Sequence, residues 1–286
     1  MENISKENIV KMIDGLPAFS ATVAKVIKLS SDPKAAPKDI IHAISIDPVL
    51  TAKVLRLINS AYFGVPFKVV SLNRAVVMLG LNTIKNVAIG SSVLTKVKMS
   101  RNFKWFTNDE FWEHSLGCGV GARILAAHIG VPAQNREEYF IAGLLHDIGK
   151  VVLIQNLPEE FSRLADPGYS PEDARTSLET KEFGINHAEL GSLMAQKWKL
   201  PGLLAEAIVQ HHAPVFEDNE LDMIKAAVHL SDIACNNMGV GIKKYVDMDI
   251  IKEEIWKKLS VDPDKLENIF DSLNEKVAEA KVFLIQ

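Results

Sequence analysis

The sequence lacks the features of secreted and membrane-embedded proteins. Its 286 residues include only two cysteines, Cys118 and Cys235, which are too few for a disulfide framework. The most apolar window, residues 75–94, is interrupted by polar side chains, so we expect no transmembrane helix. The N-terminal stretch MENISKENIVKMIDG has no apolar signal core. We therefore expect a cytoplasmic protein.

A strong net charge is also missing, but the total of −4 hides a split. Residues 1–107 contain 15 Lys/Arg against 6 Asp/Glu, which gives +9, and the remainder contains 17 against 30, which gives −13. The near-neutral total, without aromatic stacking motifs or a helix-turn-helix, argues against nucleic-acid binding. The split favours two lobes that neutralise each other where they meet. The alternative is a basic surface for an acidic partner.

Apolar residues recur with a helical period almost throughout, so the sequence predicts an all-α fold. Residues 18–30 place their apolar side chains on one stripe. Asp47-Pro48 and Ser170-Pro171 each combine a capping residue with a proline at the first helical position, which is typical of a helix start. Residues 79–82 predict a tight break between two helices. The run VVLIQ at 151–155 continues a helical pattern and is interpreted as helix.

The sequence contains no low-complexity linker and no internal repeat that would mark a domain boundary. Charge sign and histidine density both change within MSRNFKWFTND, residues 99–109. We therefore predict an N-terminal helical lobe at 1–105 and a second helical domain at 106–286. Of the eight histidines, only His42 precedes this boundary, so the chemistry is expected in the second part.

The second part carries a set of imidazoles and carboxylates suited to binding metal ions. Glu110 and His114 are four residues apart and share a helix face. His146-Asp147 and His211-His212 are adjacent pairs, which diverge by about 100° on a helix. Both members of a pair can face one metal cluster only if the cluster sits at a shallow angle or, for His146-Asp147, if the carboxylate bridges two ions. The candidate ligands are Glu110, His114, His146, Asp147, His187, His211, His212 and Asp232.

This ligand set exceeds what one ion needs and predicts two or three divalent transition-metal ions. Imidazole with carboxylate suits Fe, Mn, Zn or Ni. Multi-metal sites of this kind recur in phosphoester hydrolysis. Asp147 is the candidate bridging ligand. Lys150 is the candidate cation that meets a phosphate or orders a ligand carboxylate, and the alternative is a helix-end cation stabilised by the helix dipole.

A purely structural role is the alternative to metal binding at each of these positions. A histidine–aspartate pair alone is weak, but within the apolar frame LLHDIGK a buried polar pair needs partners, and a metal ion supplies them. Cys118 lies four residues after His114 and is within reach as a ligand, although a small buried thiol is preferred. His229 is three residues before Asp232, where it would orient a ligand or be structural.

At this point the residues resemble a known superfamily. The order His114, His146-Asp147, Asp232 is similar to the H…HD…D pattern of the HD superfamily of metal-dependent phosphohydrolases. His187 and His211-His212 extend the likeness to the HD-GYP cyclic-di-GMP phosphodiesterases. Glu110 sits where some of those proteins place an extra ligand for a third iron. However, APVFEDNELD follows His212 in place of a glycine-tyrosine-proline loop, which argues against cyclic-di-GMP hydrolysis.

The first part resembles the HDOD domain, an HD-related output domain of bacterial signalling. Three segments carry the likeness: LPAFSATVAKVIKLSSDP, ISIDPVLTAKVLRLINSAYFG and SLNRAVVMLGLNTIKNVAIG. The match is dense over residues 10–100 and continues to about 215. It implies a two-lobed, all-helical bacterial regulatory protein that acts with a separate protein partner. For its metal site we expect Fe or Mn in preference to Zn or Ni. Two functions stay open: a hydrolase of a phosphoester or nucleotide, and a non-catalytic signalling module whose metal is structural or absent.

Overall fold

Helices form the regular structure of the chain. The structure, a computed structural model, describes residues 6–16, 18–30, 32, 34–97, 103–166, 175–242 and 246–284, and within these ranges it contains no β-strand. The prediction of an all-α fold is confirmed. The α-helices are α1 (Lys6–Met12), α2 (Ala21–Ser30), α3 (Pro37–Ser45), α4 (Pro48–Ile58), α5 (Leu72–Leu79), α6 (Leu81–Lys96), α7 (Asn108–His128), α8 (Arg136–Leu145), α9 (Ile148–Asn156), α10 (Pro158–Leu164), α11 (Arg175–Phe183), α12 (His187–Lys197), α13 (Gly202–Gln210), α14 (Leu221–Met238), α15 (Glu253–Lys258), α16 (Leu266–Ile269) and α17 (Leu273–Ala280). Short 3₁₀ turns lie at Ile13–Gly15, Ala61–Phe63, Ala133–Asn135, Met248–Ile250, Pro263–Lys265 and Lys281–Phe283.

Local signals set several helix ends as predicted. The Asp47 carboxylate accepts a hydrogen bond from the backbone N–H of Leu50 at 2.9 Å and starts α4. Gly80, with φ +85°, separates α5 from α6, and such a φ favours glycine. Residues 151–155 are helical within α9. The predicted start at Ser170-Pro171 lies outside the described residues.

Of the described helices, none is by itself long and apolar enough to cross a membrane. Within the part of the chain that the structure describes, one pair of helices, α5 and α6, is long and apolar enough when taken together, and the two meet at a bend of 117°.

One apolar core runs through both parts of the described chain. Helix α6 of the first part packs on α8 of the second, and α7 packs on α8 and α14. The ring of Tyr62 lies 5.2 Å from that of Phe140 and 5.4 Å from that of Phe283. Beside them, Arg123 donates to the buried Glu137 carboxylate at 2.8 Å. The core therefore crosses the predicted boundary, and the division at 105/106 stays a prediction.

Close helix packing brings the later site residues together. A Cβ at Gly119 would lie 2.7 Å from the carbonyl oxygen of Phe140, and one at Gly143 would lie 2.5 Å from that of Cys118. Both distances are shorter than van der Waals contact, so α7 and α8 approach as closely as they do only because these positions lack side chains. This approach sets His114 on α7 beside the C-terminal end of α8.

Candidate metal centre

Seven of the eight predicted ligands converge on one buried location. They come from α7, from the junction of α8 and α9, from the start of α12, from the end of α13 and from α14. All are buried except His212, which is half-buried. The converging residues are His114, His146, Asp147, His187, His211, His212 and Asp232.

These side chains form two groups, each with ligand atoms within 4.8 Å of one another. The first ligand group is His114, Cys118, His146 and Asp232. In it, one carboxylate oxygen of Asp232 lies 3.1 Å from His114 Nε2 and 3.6 Å from His146 Nε2.

The second ligand group is Asp147, His187, His211 and His212. Asp147 Oδ1 lies 3.3 Å from His187 Nε2 and 3.6 Å from His211 Nε2. The Nε2 atoms of His187 and His212 are 2.9 Å apart. Three imidazoles and a carboxylate oxygen thus face a common point, as the ligands of a transition metal do.

Asp147 stands between the two groups. Its Oδ1 faces the second group, whereas its Oδ2 lies 3.5 Å from His146 Nε2 and 4.0 Å from His114 Nε2 in the first. Lys150 donates to the same Oδ2 at 2.6 Å. One carboxylate therefore presents an oxygen to each group, which is the geometry a bridging ligand needs.

Hydrogen bonds from the far side of each ring orient three of the imidazoles. His146 Nδ1 donates to the carbonyl of Gly143 at 2.7 Å, and His211 Nδ1 donates to that of Ile208 at 2.6 Å. His187 Nδ1 lies 2.7 Å from the buried Glu179 carboxylate, which also accepts the His187 backbone N–H at 2.8 Å. With Nδ1 protonated, Nε2 carries the lone pair that faces the centre.

A glycine allows close packing of the two helices, α9 and α12, that position Asp147 and His187 of the second group. Gly149, in the first turn of α9, packs against the start of α12, and a Cβ there would overlap the carbonyl oxygen of His187. Because Gly149 is two residues after Asp147, this contact places the Asp147 carboxylate beside the His187 ring.

The electrostatics favour the protonation states that metal ions bind. Burial alone would raise the pKa of Asp147, but Lys150 and the surrounding histidines hold it well below its usual range. The pKa of Asp232 is also low, because the contacts of its carboxylate with His114 at 3.1 Å and with His146 at 3.6 Å outweigh burial. Burial, and then the neighbouring histidines, lower the pKa of His211 and of His212. His146 is the exception, since Asp147 and Asp232 outweigh burial and raise its pKa.

Two buried polar atoms in the centre indicate which kind of ligand the two groups could bind. His146 Nε2 and Asp147 Oδ1 have no hydrogen-bond partner among the residues the structure describes. A buried polar atom without a partner is destabilising by about 1–3 kcal/mol. A divalent cation coordinated by these atoms would remove that cost, so the donor set fits a transition metal.

Glu110 is the predicted ligand that the structure does not bring into the centre. Its exposed carboxylate accepts hydrogen bonds from the backbone N–H of Thr107 at 2.7 Å and from its hydroxyl at 2.9 Å. The hydroxyl of Thr107 in turn accepts the Glu110 N–H, which completes a capping box at the start of α7. The spacing to His114 is that of one helix face, but the side chain turns back to the helix terminus.

Three further residues modify the sequence-based interpretation. Lys150 lies in the first turn of α9, where the helix dipole disfavours a cation, so the contact with Asp147 rather than the dipole accounts for it. His229 donates from Nδ1 to the carbonyl of His211 at 2.7 Å and supports that segment. Glu179 was not predicted, because a turn at Gly184 separates it from His187 and leaves no periodic signal.

A cavity of about 240 Å³ adjoins the centre. It is lined by one ligand from each group, Asp232 and His212, together with His229 and Asn236. Asn236 donates to Asp232 Oδ1 at 2.8 Å and so holds that carboxylate at the cavity wall. A small ligand in this cavity would contact both groups.

Fold and site together define an all-helical protein with a buried histidine–aspartate centre of the HD type. The HDOD domain model matches residues 16–214, and the chain belongs to the HDOD family. A protein of Treponema pallidum (strain Nichols) is 28% identical over 257 residues, which cover 88% of this chain and 47% of that protein. The chain thus spans about half the length of this curated relative.

Solved structures share the fold over nearly the whole chain. An HDOD domain protein of unknown function from Geobacter sulfurreducens is 22% identical with a TM-score of 0.75, and the match covers 98% of this chain and 99% of that one. A candidate phosphohydrolase from Shewanella amazonensis SB2B is 24% identical with a TM-score of 0.69, and the match covers 96% and 97% of the two chains. At these identities the likeness concerns the fold.

Proposed function

We propose that this HDOD protein is a regulatory metal-dependent phosphohydrolase of the bacterial cytoplasm that holds two divalent ions. The first ligand group would hold one ion, the second would hold the other, and Asp147 would bridge them. The observation that carries this proposal is the position of Asp147, whose two oxygens face the two groups. Iron or manganese suits the second group, which has three imidazoles and a carboxylate.

The residues of the chain have separate roles in this proposal. Bound divalent ions would supply an activated water and hold the phosphate oxygens. Lys150 keeps the Asp147 carboxylate in one orientation, and Glu179 does the same for the His187 ring. The cavity beside His212 and Asp232 admits the phosphoester. The residues after His212 form a loop closed on Asp222, which accepts the backbone N–H of Glu217 and of Asp218. Because this loop lacks the glycine-tyrosine-proline sequence, a cyclic dinucleotide is not the substrate we favour.

The experiment is turnover of a generic phosphodiester, bis(p-nitrophenyl) phosphate, by protein loaded with iron or manganese. We expect measurable hydrolysis by the wild type and a loss of at least about 100-fold in Asp147→Ala, since a residue shared by both ions is removed. Metal-loaded protein that hydrolyses no generic ester, nucleotide or cyclic dinucleotide would contradict the proposed activity.

A second function, a signalling output module without catalysis, is favoured by the surface of the first part. Five of the eight large apolar side chains exposed on the described chain lie before residue 78: Ile46, Val49, Phe67, Val70 and Val77. Val49 also borders a cavity of about 270 Å³ near the cations Lys53 and Lys96. Such a surface suits a protein partner that carries acidic and apolar groups.

Partner capture with two variants separates the two functions. A partner retained by Asp147→Asn but lost by Val49→Asp would support the output module. A partner lost by Asp147→Asn and retained by Val49→Asp would contradict it and place recognition at the metal centre.

A further inference from the structure

We propose that Cys118 is a thiolate ligand of the ion in the first ligand group, which makes that group a sulfur-containing site and the second a sulfur-free one. The inference rests on the proposed metal centre and adds a ligand that is absent from the H…HD…D pattern. It predicts two ions of different character in one cluster. A thiolate favours Zn or Fe over Mn, whereas imidazoles with a carboxylate accept any of them.

Cys118 is placed where a fourth ligand would lie. It follows His114 by one helical turn on α7 and is fully buried. Its Sγ lies 3.6 Å from His114 Nε2. With metal–sulfur bonds of about 2.3 Å and metal–nitrogen bonds of about 2.0 Å, tetrahedral geometry sets sulfur and nitrogen about 3.5 Å apart, close to the observed separation. The 3.1 and 3.6 Å separations of the Asp232 oxygen from the two imidazole nitrogens are close to the roughly 3.4 Å expected for nitrogen and oxygen ligands.

An ordinary thiol hydrogen bond accounts less well for the same contacts. His114 Nε2 faces both the Cys118 sulfur and, at 3.1 Å, the Asp232 oxygen. If Nε2 is unprotonated it can accept from the thiol, but its lone pair then opposes a carboxylate oxygen. If Nε2 is protonated it donates to Asp232, and the thiol hydrogen is left with the carbonyl of Ser231 at 4.0 Å or with the neighbouring sulfur of Cys235, both weak acceptors for a thiol. A cation among sulfur, nitrogen and oxygen satisfies all three.

A second observation points to the same position. His146 Nε2 belongs to this group, is fully buried and has no hydrogen-bond partner among the described residues. Its ring is held by the Nδ1 bond to Gly143, so the unpartnered nitrogen stays directed toward the group. Formation of the metal–sulfur bond would release the Cys118 thiol proton to solvent.

Cobalt(II) tests this ligand directly, because a thiolate bound to cobalt gives a near-ultraviolet charge-transfer band that imidazole and carboxylate ligands do not give. Cobalt(II) is titrated without oxygen into the metal-free full chain, and bound cobalt is counted by elemental analysis. We expect the wild type to show a band of one thiolate per chain. Cys118→Ser should lose the band. Cys235→Ser is the matched control, since Cys235 is equally buried and neighbours Cys118 but lies outside both groups, and it should keep the band.

A measurement on wild-type protein covers the case in which Cys118→Ser does not fold. X-ray absorption at the zinc edge of zinc-loaded wild type should require a sulfur at about 2.3 Å. Wild type that binds cobalt without the band, or a band that survives Cys118→Ser in folded protein, would overturn the thiolate and leave the proposed function standing. Wild type that binds neither cobalt nor zinc would overturn both.

Discussion

The two parts of the chain bury different kinds of side chain. Among the described residues before 108, the buried polar side chains are uncharged: Thr83, Asn86, Ser91 and Ser92. From 108 onward, histidines, carboxylates and lysines are buried, and the structure directs many of them at one centre. Buried charge is destabilising unless it is paired. Helix packing and surface contacts therefore account for the first part, whereas the buried charged groups of the second part need binding partners such as metal ions.

Two similar ion pairs within the second part sharpen this contrast. Asp147 and Lys150 are three residues apart and in contact at 2.6 Å, and Asp222 and Lys225 have the same spacing at 3.0 Å. The Asp222 carboxylate also accepts backbone N–H groups and a bond from Lys258, which complete its surroundings. Oδ1 of Asp147 has no hydrogen-bond partner within the described chain. The hydrogen bonds of the Asp222 pair are thus satisfied within the protein, whereas the Asp147 pair leaves an oxygen available to a ligand.

The largest expected effect comes from comparing these pairs by mutation. Asp147→Asn and Asp222→Asn each leave a buried lysine without its carboxylate, so each should lower the free energy of unfolding by about 3–5 kcal/mol. Only Asp147→Asn should also lose bound metal. Urea unfolding and elemental analysis measure the two effects. Equal loss of metal in both variants would show that the metal depends on stability alone.

Gly149→Ala should have the next largest effect. Its Cβ would overlap the carbonyl oxygen of His187, so α9 and α12 must separate, at a cost of about 1–3 kcal/mol and with weaker metal binding. Gly202→Ala is the matched control, because a Cβ at that helical position meets no other atom within 4 Å. It should preserve or slightly raise the melting temperature. Equal melting temperatures and metal affinities for the two variants would contradict the packing argument.

Glu179→Gln tests whether the residue behind His187 tunes the second ligand group. The glutamine keeps an acceptor but loses the negative charge, so we expect metal affinity to fall by about 10-fold. Isothermal titration with Mn²⁺ measures this. Glu182→Gln is the control, as Glu182 pairs with Arg163 at the surface and should bind metal like the wild type. An unchanged affinity for Glu179→Gln would remove it from the site.

The metal-free protein should lose stability as the pH falls below about 6.5. The pKa values of His211 and His212 are lowered in the folded state, so below that pH the unfolded chain binds more protons. The raised pKa of His146 acts in the opposite direction. We expect a net loss on the order of 1 kcal/mol between pH 7.5 and 5.5 in urea unfolding. His211→Gln should show a smaller loss, and a loss equal to that of the wild type would contradict this assignment.

The smallest effect is expected for Glu110→Ala. Removal of half of the capping box should cost less than about 1 kcal/mol and leave the metal content unchanged. Thermal unfolding and elemental analysis check the two statements. Loss of one ion per chain in this variant would restore Glu110 as a ligand and raise the count to three.

The sequence predicted what depends on local pattern. Helical periodicity and the Asp47-Pro48 cap are local, so the all-α fold and helix starts followed from them. The ligands at His146-Asp147 and His211-His212 could be predicted because polar pairs within apolar sequence segments need binding partners when they are buried. The outward turn of Glu110, the role of Glu179 and the proximity of Cys118 to Asp232 depend on rotamers and on contacts between distant helices, which spacing does not encode.

The central claim is that the two ligand groups form one centre for two metal ions. Its most direct test is elemental analysis of the wild-type protein after reconstitution with excess divalent metal and removal of unbound ions. The account predicts two tightly bound ions per chain. A chain that retains less than one ion under these conditions would contradict it.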